Sequence, residues 1–257
     1  MRYQEFEPLP ALRRWFASIW VFEVPPDVEA LPHAIPLTGG VILGMNLKGG
    51  VPVCFGPRLQ PLRTVVHGGD QYAGVHLWPG VHRAWLGRAS PPLREVVRPL
   101  ADLVDPCWVV RFGQALQAAF LHEWTAEGLA ELGRILLART PPGAPDDAVM
   151  AAMLRVLEAD GRDPVGGLAA AVGLSPATLR RRFRAELELS PKELARIRRV
   201  RASATDAVAG GHWAGIAAGR GFSDQAHLVR EFQELLGRSP ESFRAHGNQI
   251  QHRLLKR

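Results

Sequence analysis

Cysteine is nearly missing from this sequence: Cys54 and Cys107 are the only two in 257 residues. Two thiols cannot build a disulfide framework or a four-cysteine zinc site, and so low a number fits a reducing compartment. Long apolar runs are missing too. None approaches the roughly 20 residues that a membrane span needs. The stretch from Met1 to Glu7 carries charges at positions 2, 5 and 7 and no apolar segment, so no signal peptide is visible. The expectation is a soluble, cytoplasmic protein without a membrane partner. No Gly-x-Ser-x-Gly, P-loop or Gly-x-Gly-x-x-Gly phosphate cradle occurs. No His-x-His pair occurs either, and His33, His67, His76 and His82 read as ordinary surface or hydrogen-bonded histidines. No metal, no cofactor and no enzymatic activity are expected.

What is present can fold. Apolar residues make up 47% of the chain, enough for a sizeable core. The net charge of +6 is unevenly spread: 18 Lys and Arg face 13 Asp and Glu from Asp146 onward, against 13 and 12 before it. A polyanion would be drawn to the C-terminal part.

The segment Thr140-Pro141-Pro142-Gly143-Ala144-Pro145 cannot continue a helix and reads as a linker between domains covering 1–140 and 146–257. In the first, Val41-Ile42-Leu43, Val51-Pro52-Val53-Cys54-Phe55, Thr64-Val65-Val66 and Tyr72 to Leu77 look like strands punctuated by turns. Helical spacing follows over about Val109–Arg139, with Phe112, Leu116, Ala119 and Phe120 on one face, then Leu129, Leu132, Ile135 and Leu136. Everything after Pro145 reads as helix. The fold class is therefore α+β: a β-rich domain with two following helices, then an all-α domain.

The strongest feature is an internal repeat. Leu168-Ala169-Ala170-Ala171-Val172-Gly173-Leu174-Ser175 matches Ile216-Ala217-Ala218-Gly219-Arg220-Gly221-Phe222-Ser223 at an offset of 48. Beyond the serine, Leu179, Phe183, Ser190 and Pro191 match Leu228, Phe232, Ser239 and Pro240 at an offset of 49, so one residue is inserted near the start of the second helix. Each copy has helix-turn-helix grammar. An Ala-rich helix ends at a glycine suited to positive φ, an apolar plug follows, and Ser175 or Ser223 is placed to cap a second helix. Pro176 and Asp224 then take the first helical position.

In each second helix, a Leu and a Phe four residues apart must face inward. At about 100° per residue, the outward face of the first carries Ala177, Arg181 and Arg184, flanked by Thr178 and Arg180. That of the second carries Arg230 with Ser223, Ala226 and His227 beside it, and Gln225 near the N-terminal end. Small residues let a helix enter a major groove about 12 Å wide, where Arg bonds guanine O6 and N7 together. A single such helix is more often a solvated surface; two in tandem behind Gly-x-Ser turns favour double-stranded DNA. Between them Pro191 to about Ala209 forms a basic helix with Arg196, Arg198, Arg199 and Arg201, spanning roughly 27 Å at 1.5 Å per residue. These arginines fit either phosphate contacts or a solvated face. The length suits a strut holding two helices in groove faces about 34 Å apart.

The run Ile216-Ala217, Gly221-Phe222-Ser223-Asp224-Gln225-Ala226-His227-Leu228, Phe232, Gly237, Ser239-Pro240 and Phe243-Arg244 resembles the AraC-type DNA-binding domain, over about residues 150–245. The resemblance implies two helix-turn-helix units joined by a linker helix, with base contacts from Ala177, Thr178, Arg180 and Arg181, then Gln225, Ala226, His227 and Arg230. Glu188 departs from the family's glycine, Thr205 and Asp206 from its apolar pair, and Arg182 from a common apolar residue. Residues 3–104 bear a looser resemblance to an uncharacterised AraC-associated domain, through Leu9, Leu12, Trp20, the run from Gly74 to Gly80, Pro92-Leu93, Glu95 and Val97. Relatives commonly carry a cupin-like barrel there, binding an effector or dimerising. The resemblance thus implies a regulatory domain, a homodimer, a small-molecule effector and RNA polymerase as a further partner. An aromatic pocket near Trp78 and Trp85, with His76, is the candidate effector site; the plainer reading places these tryptophans in the core. The rival assignment is a metal-dependent sensor or enzyme built on the β-rich domain, with DNA binding secondary.

Overall fold

Short strands fill the first hundred residues of the computed structural model, which describes residues 1–35, 37–141 and 146–246. They are β1 (Arg2–Phe6), β2 (Phe16–Glu23), β3 (Ala30–Ile35), β4 (Ile42–Asn46), β5 (Val53–Phe55), β6 (Leu62–His67), β7 (Gln71–Leu77) and β8 (Val97–Pro99). Six form one antiparallel sheet in the order β1-β2-β7-β4-β5-β8. The expected cupin-like barrel is not closed. Strand β8 has three residues and ends in Pro99, which has no N–H to extend a ladder. Strands β3 and β6 pair with each other in a separate two-stranded sheet.

The sheet is buried where it matters. Ile42, Leu43 and Met45 of β4 and Ala73, Val75 and Leu77 of β7 are all core residues, so these strands read as apolar runs with little alternation. One face carries Phe6, Ile19, Leu43 and Met45 and meets the helices: Phe6 packs on Phe120, and Gln117 donates to the Leu47 carbonyl. On the other face Gly44 stands opposite Gly74 beneath the Trp20 ring. A Cβ on either would lie within 3 Å of Trp20 Cζ2, so the ring sits there only because both are glycine.

Helix α1 (His82–Leu86) is short; α2 (Pro106–Phe120) and α3 (Ala126–Arg139) pack together. Asp105 and Thr125 cap α2 and α3 through the Trp108 and Gly128 amides. The α3 helix ends at Thr140, and positions 142–145 of the expected linker lie outside the described residues.

Seven helices follow among the described residues: α4 (Asp147–Glu158), α5 (Val165–Ala171), α6 (Pro176–Leu187), α7 (Pro191–Val208), α8 (Trp213–Gly219), α9 (Gln225–Leu236) and α10 (Pro240–His246). Asp146 caps α4 by accepting from the Ala148 and Val149 amides. Ser190 and Glu193 form a reciprocal capping box on α7. That helix runs unbroken through Thr205 and Asp206, the polar pair that departs from the family pattern; Thr205 simply bonds back to the Arg201 carbonyl.

By contact, the chain divides into two compact units whose boundaries are not contiguous in sequence. Among the described residues, the first draws on 1–33, 40–57 and 65–145, and the second on 34–39, 58–64 and 146–257. Within the second unit, Arg201 donates to the Leu37 carbonyl at 2.9 Å and Arg63 to the Gly237 carbonyl at 2.8 Å.

Two local details differ from expectation. The cap of α9 is Asp224, not Ser223: the Asp224 carboxylate accepts the His227 amide at 2.6 Å, and helix starts at Gln225. This locates the inserted residue of the repeat, since Ser175 corresponds to Asp224 at the offset of 49. A carboxylate also opposes the helix dipole better than a hydroxyl does. The second detail is Glu188, which ends α6 with φ 59°, as Gly237 ends α9 with φ 69°. The turn keeps its left-handed form without its glycine, at a cost of roughly 1–2 kcal/mol.

Replacing Glu188→Gly is expected to raise stability by about 1 kcal/mol, less whatever the glutamate's own contacts contribute. Urea unfolding of the full chain checks this; an unchanged or lower midpoint would show that the turn is unstrained. Asp224→Ala is expected to lower the melting temperature and Asp224→Asn to retain most of it. The His227 amide, then the Ser223 hydroxyl and the Arg230 charge, hold the Asp224 carboxyl below its ordinary 3.8. A depressed folded pKa means the cap's contribution is complete above 3.8 and disappears as pH falls through the lower folded value. The His227 amide resonance followed by NMR reports it; loss of the cap near neutrality would contradict this account.

Candidate nucleic-acid interface

Each helix-turn-helix unit is built on the same apolar pair. Leu179 and Phe183 of α6, and Leu228 and Phe232 of α9, are each fully buried. Full burial of such a side chain contributes roughly 1.5–3 kcal/mol, so neither helix can rotate about its axis without losing several kcal/mol. The preceding helices supply Leu168 and Ile216, also buried, and the turns pass through Gly173 and Gly221 at φ 67° and 74°. Leu174 is half-buried and Phe222 is buried as the plugs between helices.

Helical periodicity then fixes what faces out. On α6, Ala177, Arg180, Arg181 and Arg184 are exposed and Thr178 is half-buried, its hydroxyl accepting from Ser175 Oγ. Among the described residues, none of these three arginines has an ion-pair or hydrogen-bond partner. On α9, Gln225, Ala226 and Arg230 are exposed, as is Ser223 just before it. Arg230 has no hydrogen-bond partner among the described residues, and its charge reaches the Asp224 carboxylate. An unpaired guanidinium on a rigid helix is ready to bind an anion without first breaking an internal bond.

His227 is held differently. Its Nδ1 lies 3.3 Å from the Ser223 amide and 3.2 Å from the Ser223 hydroxyl, its Nε2 lies 3.6 Å from Glu231, and its ring meets Phe222 edge-on. Both ring nitrogens thus have neighbours inside the protein. Arg182, the other departure from the family, pairs with Asp146 at 3.3 Å and ties α6 to the start of α4.

The arginines of α7 do something neither sequence reading anticipated: they face the protein. Arg196 bonds Glu231 at 2.8 Å and Glu234 at 2.7 Å; these carboxylates, through hydrogen bonds and charge, outweigh its partial burial and hold its pKa above the ordinary arginine value. Arg198 donates to the Leu157 carbonyl and to Asp160. Arg201 is buried, and Arg199 lies over the Phe222 ring. One signal in the sequence pointed this way. Glu231 sits on the inward face of α9 with Leu228 and Leu235, and a carboxylate buried there requires a cation.

The three candidate effector residues of the N-terminal unit have separate surroundings. His76 is buried on β7, with Nδ1 3.0 Å from the Ser18 hydroxyl and its ring stacked on Trp20. Trp78 donates to the Arg13 carbonyl. Trp85 is buried between Phe16 and Trp108 with Arg139 over its ring. Among the described residues, no group of three or more His, Cys, Asp or Glu side chains is placed to hold a metal ion. No helix among them is long and apolar enough to cross a membrane.

Comparison with known proteins bears on the helical unit. Residues 168–246 match a family model described as a helix-turn-helix domain. No curated protein matches the chain. Among solved structures, three of ToxT from Vibrio cholerae are similar over most of both chains. A 1.65 Å structure in a P21 form covers 95% of this chain and 97% of that one, at 9% identity and a TM-score of 0.41. A complex with (E)-4-(8-methylnaphthalen-1-yl)but-3-enoic acid covers 95% and 97%, at 8% identity and 0.43. A complex with an unsaturated fatty acid covers 94% and 93%, at 10% identity and 0.39. No assignment rests on likeness at that level. The matched segment contains both capped turns and the buried Leu and Phe of each copy: residues 168–246 are a helix-turn-helix domain.

Proposed function

We propose that the chain is a sequence-specific DNA-binding transcription regulator, controlled by a small molecule or a partner acting on its N-terminal region. One observation carries this reading: α6 and α9 are anchored by identical apolar pairs and each presents an exposed arginine, Arg181 and Arg230, without a hydrogen-bond partner among the described residues. Ala177 and Ala226, exposed near the start of each helix, leave room for close approach to base edges. In this reading Arg181 and Arg230 read bases, with Thr178, Arg180 and Gln225 beside them, while Arg184 and the exposed start of each helix contact phosphates. Phosphate contacts supply affinity and the two outward faces supply sequence choice. Homodimerisation through α2 and α3 belongs to the same proposal, and Val110 and Leu137 stand exposed on those helices.

Selection of bound sequences from random duplex DNA, using the full chain at physiological salt, is expected to enrich a motif with two half-sites. Arg181→Ala and Arg230→Ala are each expected to weaken binding to that motif by roughly 1–3 kcal/mol and to relax one position of it. Equal loss on every sequence would reduce both residues to phosphate contacts, and failure to enrich any motif would remove the assignment.

A further inference from the structure

Two oddities of the sequence meet in space. At the position before the turn glycine, the first repeat has Val172 and the second has Arg220. Val172 and Arg220 hold the same place at the C-terminal end of their helices, with φ −113° and −101°, so the helix-turn-helix itself has no need of the guanidinium. In α7, Asp206 stands where the resemblance leads one to expect an apolar residue. Arg220 bonds Asp206 with two parallel hydrogen bonds of 2.6 and 2.7 Å. Its third contact, 2.5 Å from Nη1, is Asp160 in the loop between α4 and α5.

Asp160 is itself shared. Its other oxygen accepts from Arg198 of α7 at 3.0 Å. Two arginines and two aspartates form a neutral cluster in which one carboxylate joins the loop leading into the first helix-turn-helix, the linker helix and the turn of the second. The loop that carries Asp160 is built for the contact. Asp160 and Gly161 are both left-handed, with φ 50° and 73°, and a Cβ on Gly161 would stand 2.2 Å from the Ala195 carbonyl. Only glycine lets the loop lie against α7 there, one turn from Arg198. Parallel guanidinium–carboxylate bonds fix direction as well as distance.

We propose that Asp160, Arg220 and Asp206 form a latch that fixes the register of the two recognition helices, and so sets the half-site spacing the protein accepts. This rests on the DNA-reading assignment above. The three are positioning residues; the bases are read elsewhere. Solvent reaches the cluster through an open cleft of about 530 Å³ lined by Arg162, Asp206, His212, Gly215 and Arg220. The pairs are therefore strong enough to orient the helices without being so dry that one substitution must unfold the protein.

The test uses the full chain and duplexes in which the selected half-sites are separated by zero to four added or removed base pairs. Wild type is expected to show a narrow optimum. Arg220→Gln and the milder, isosteric Asp206→Asn are expected to lose about 10-fold at the optimum and less than about 2-fold elsewhere, because only the optimal spacing uses the pre-set register. Arg220→Lys, which keeps the charge but cannot make the two parallel bonds, should restore little of the selectivity. Met153→Ala, which opens the buried core of α4 away from the cluster, should leave the shape of the profile unchanged. A readout without DNA runs beside it: spin labels at the exposed positions Ala185 and Gln233, in a background where exposed Cys107 is serine, should show one narrow distance that broadens in Arg220→Gln. Uniform weakening at every spacing, or an unchanged distance distribution, would overturn the latch. If wild type selects no paired half-sites while the distance still broadens, the DNA-reading assignment falls and the spacing role with it.

Discussion

Burial of four side chains, Leu179, Phe183, Leu228 and Phe232, governs the rest of the helical unit. Because a helix turns by about 100° per residue, seating a Leu and a Phe four positions apart leaves no freedom over which residues face solvent. The exposure of Arg181 and Arg230 is thus a geometric consequence of core packing. Substitution on the outer face can change the surface presented without disturbing the anchor.

That same logic explains which parts were legible from sequence. Amphipathic helices declare themselves by period, and a repeated period, turn glycine and cap declare themselves twice; hence α5, α6, α8 and α9 were readable almost to the residue. The N-terminal sheet was harder. Strands β4 and β7 are covered on both faces, so alternation is lost, and the burial pattern of β2 does not alternate cleanly either. Closure of a barrel depends on edge pairing, which no local pattern encodes.

Charges were the least legible feature. A row of arginines on α7 has the same sequence signature whether it faces phosphate, water or carboxylate, because the partner is distant in the chain: 35 residues for Glu231, 38 for Asp160. The clue lay in the departures from family pattern. Asp206 stands in place of an apolar residue and Arg220 in place of the Val172 of the first repeat, and each is the other's partner. Glu188 is the opposite case, a departure that leaves the left-handed turn in place at a cost in backbone energy.

The C-terminal helical body also incorporates two short pieces from early in the chain, 34–39 and 58–64. A ribosome makes these pieces more than eighty residues before the first helix of that body, so their contacts with its helices wait for synthesis of everything from Val65 to Pro145. The helical body cannot finish assembling in strict N-to-C order of its own elements. Its completion draws on segments translated well before its own first helix, so the unit that folds is not a continuous stretch of the polypeptide.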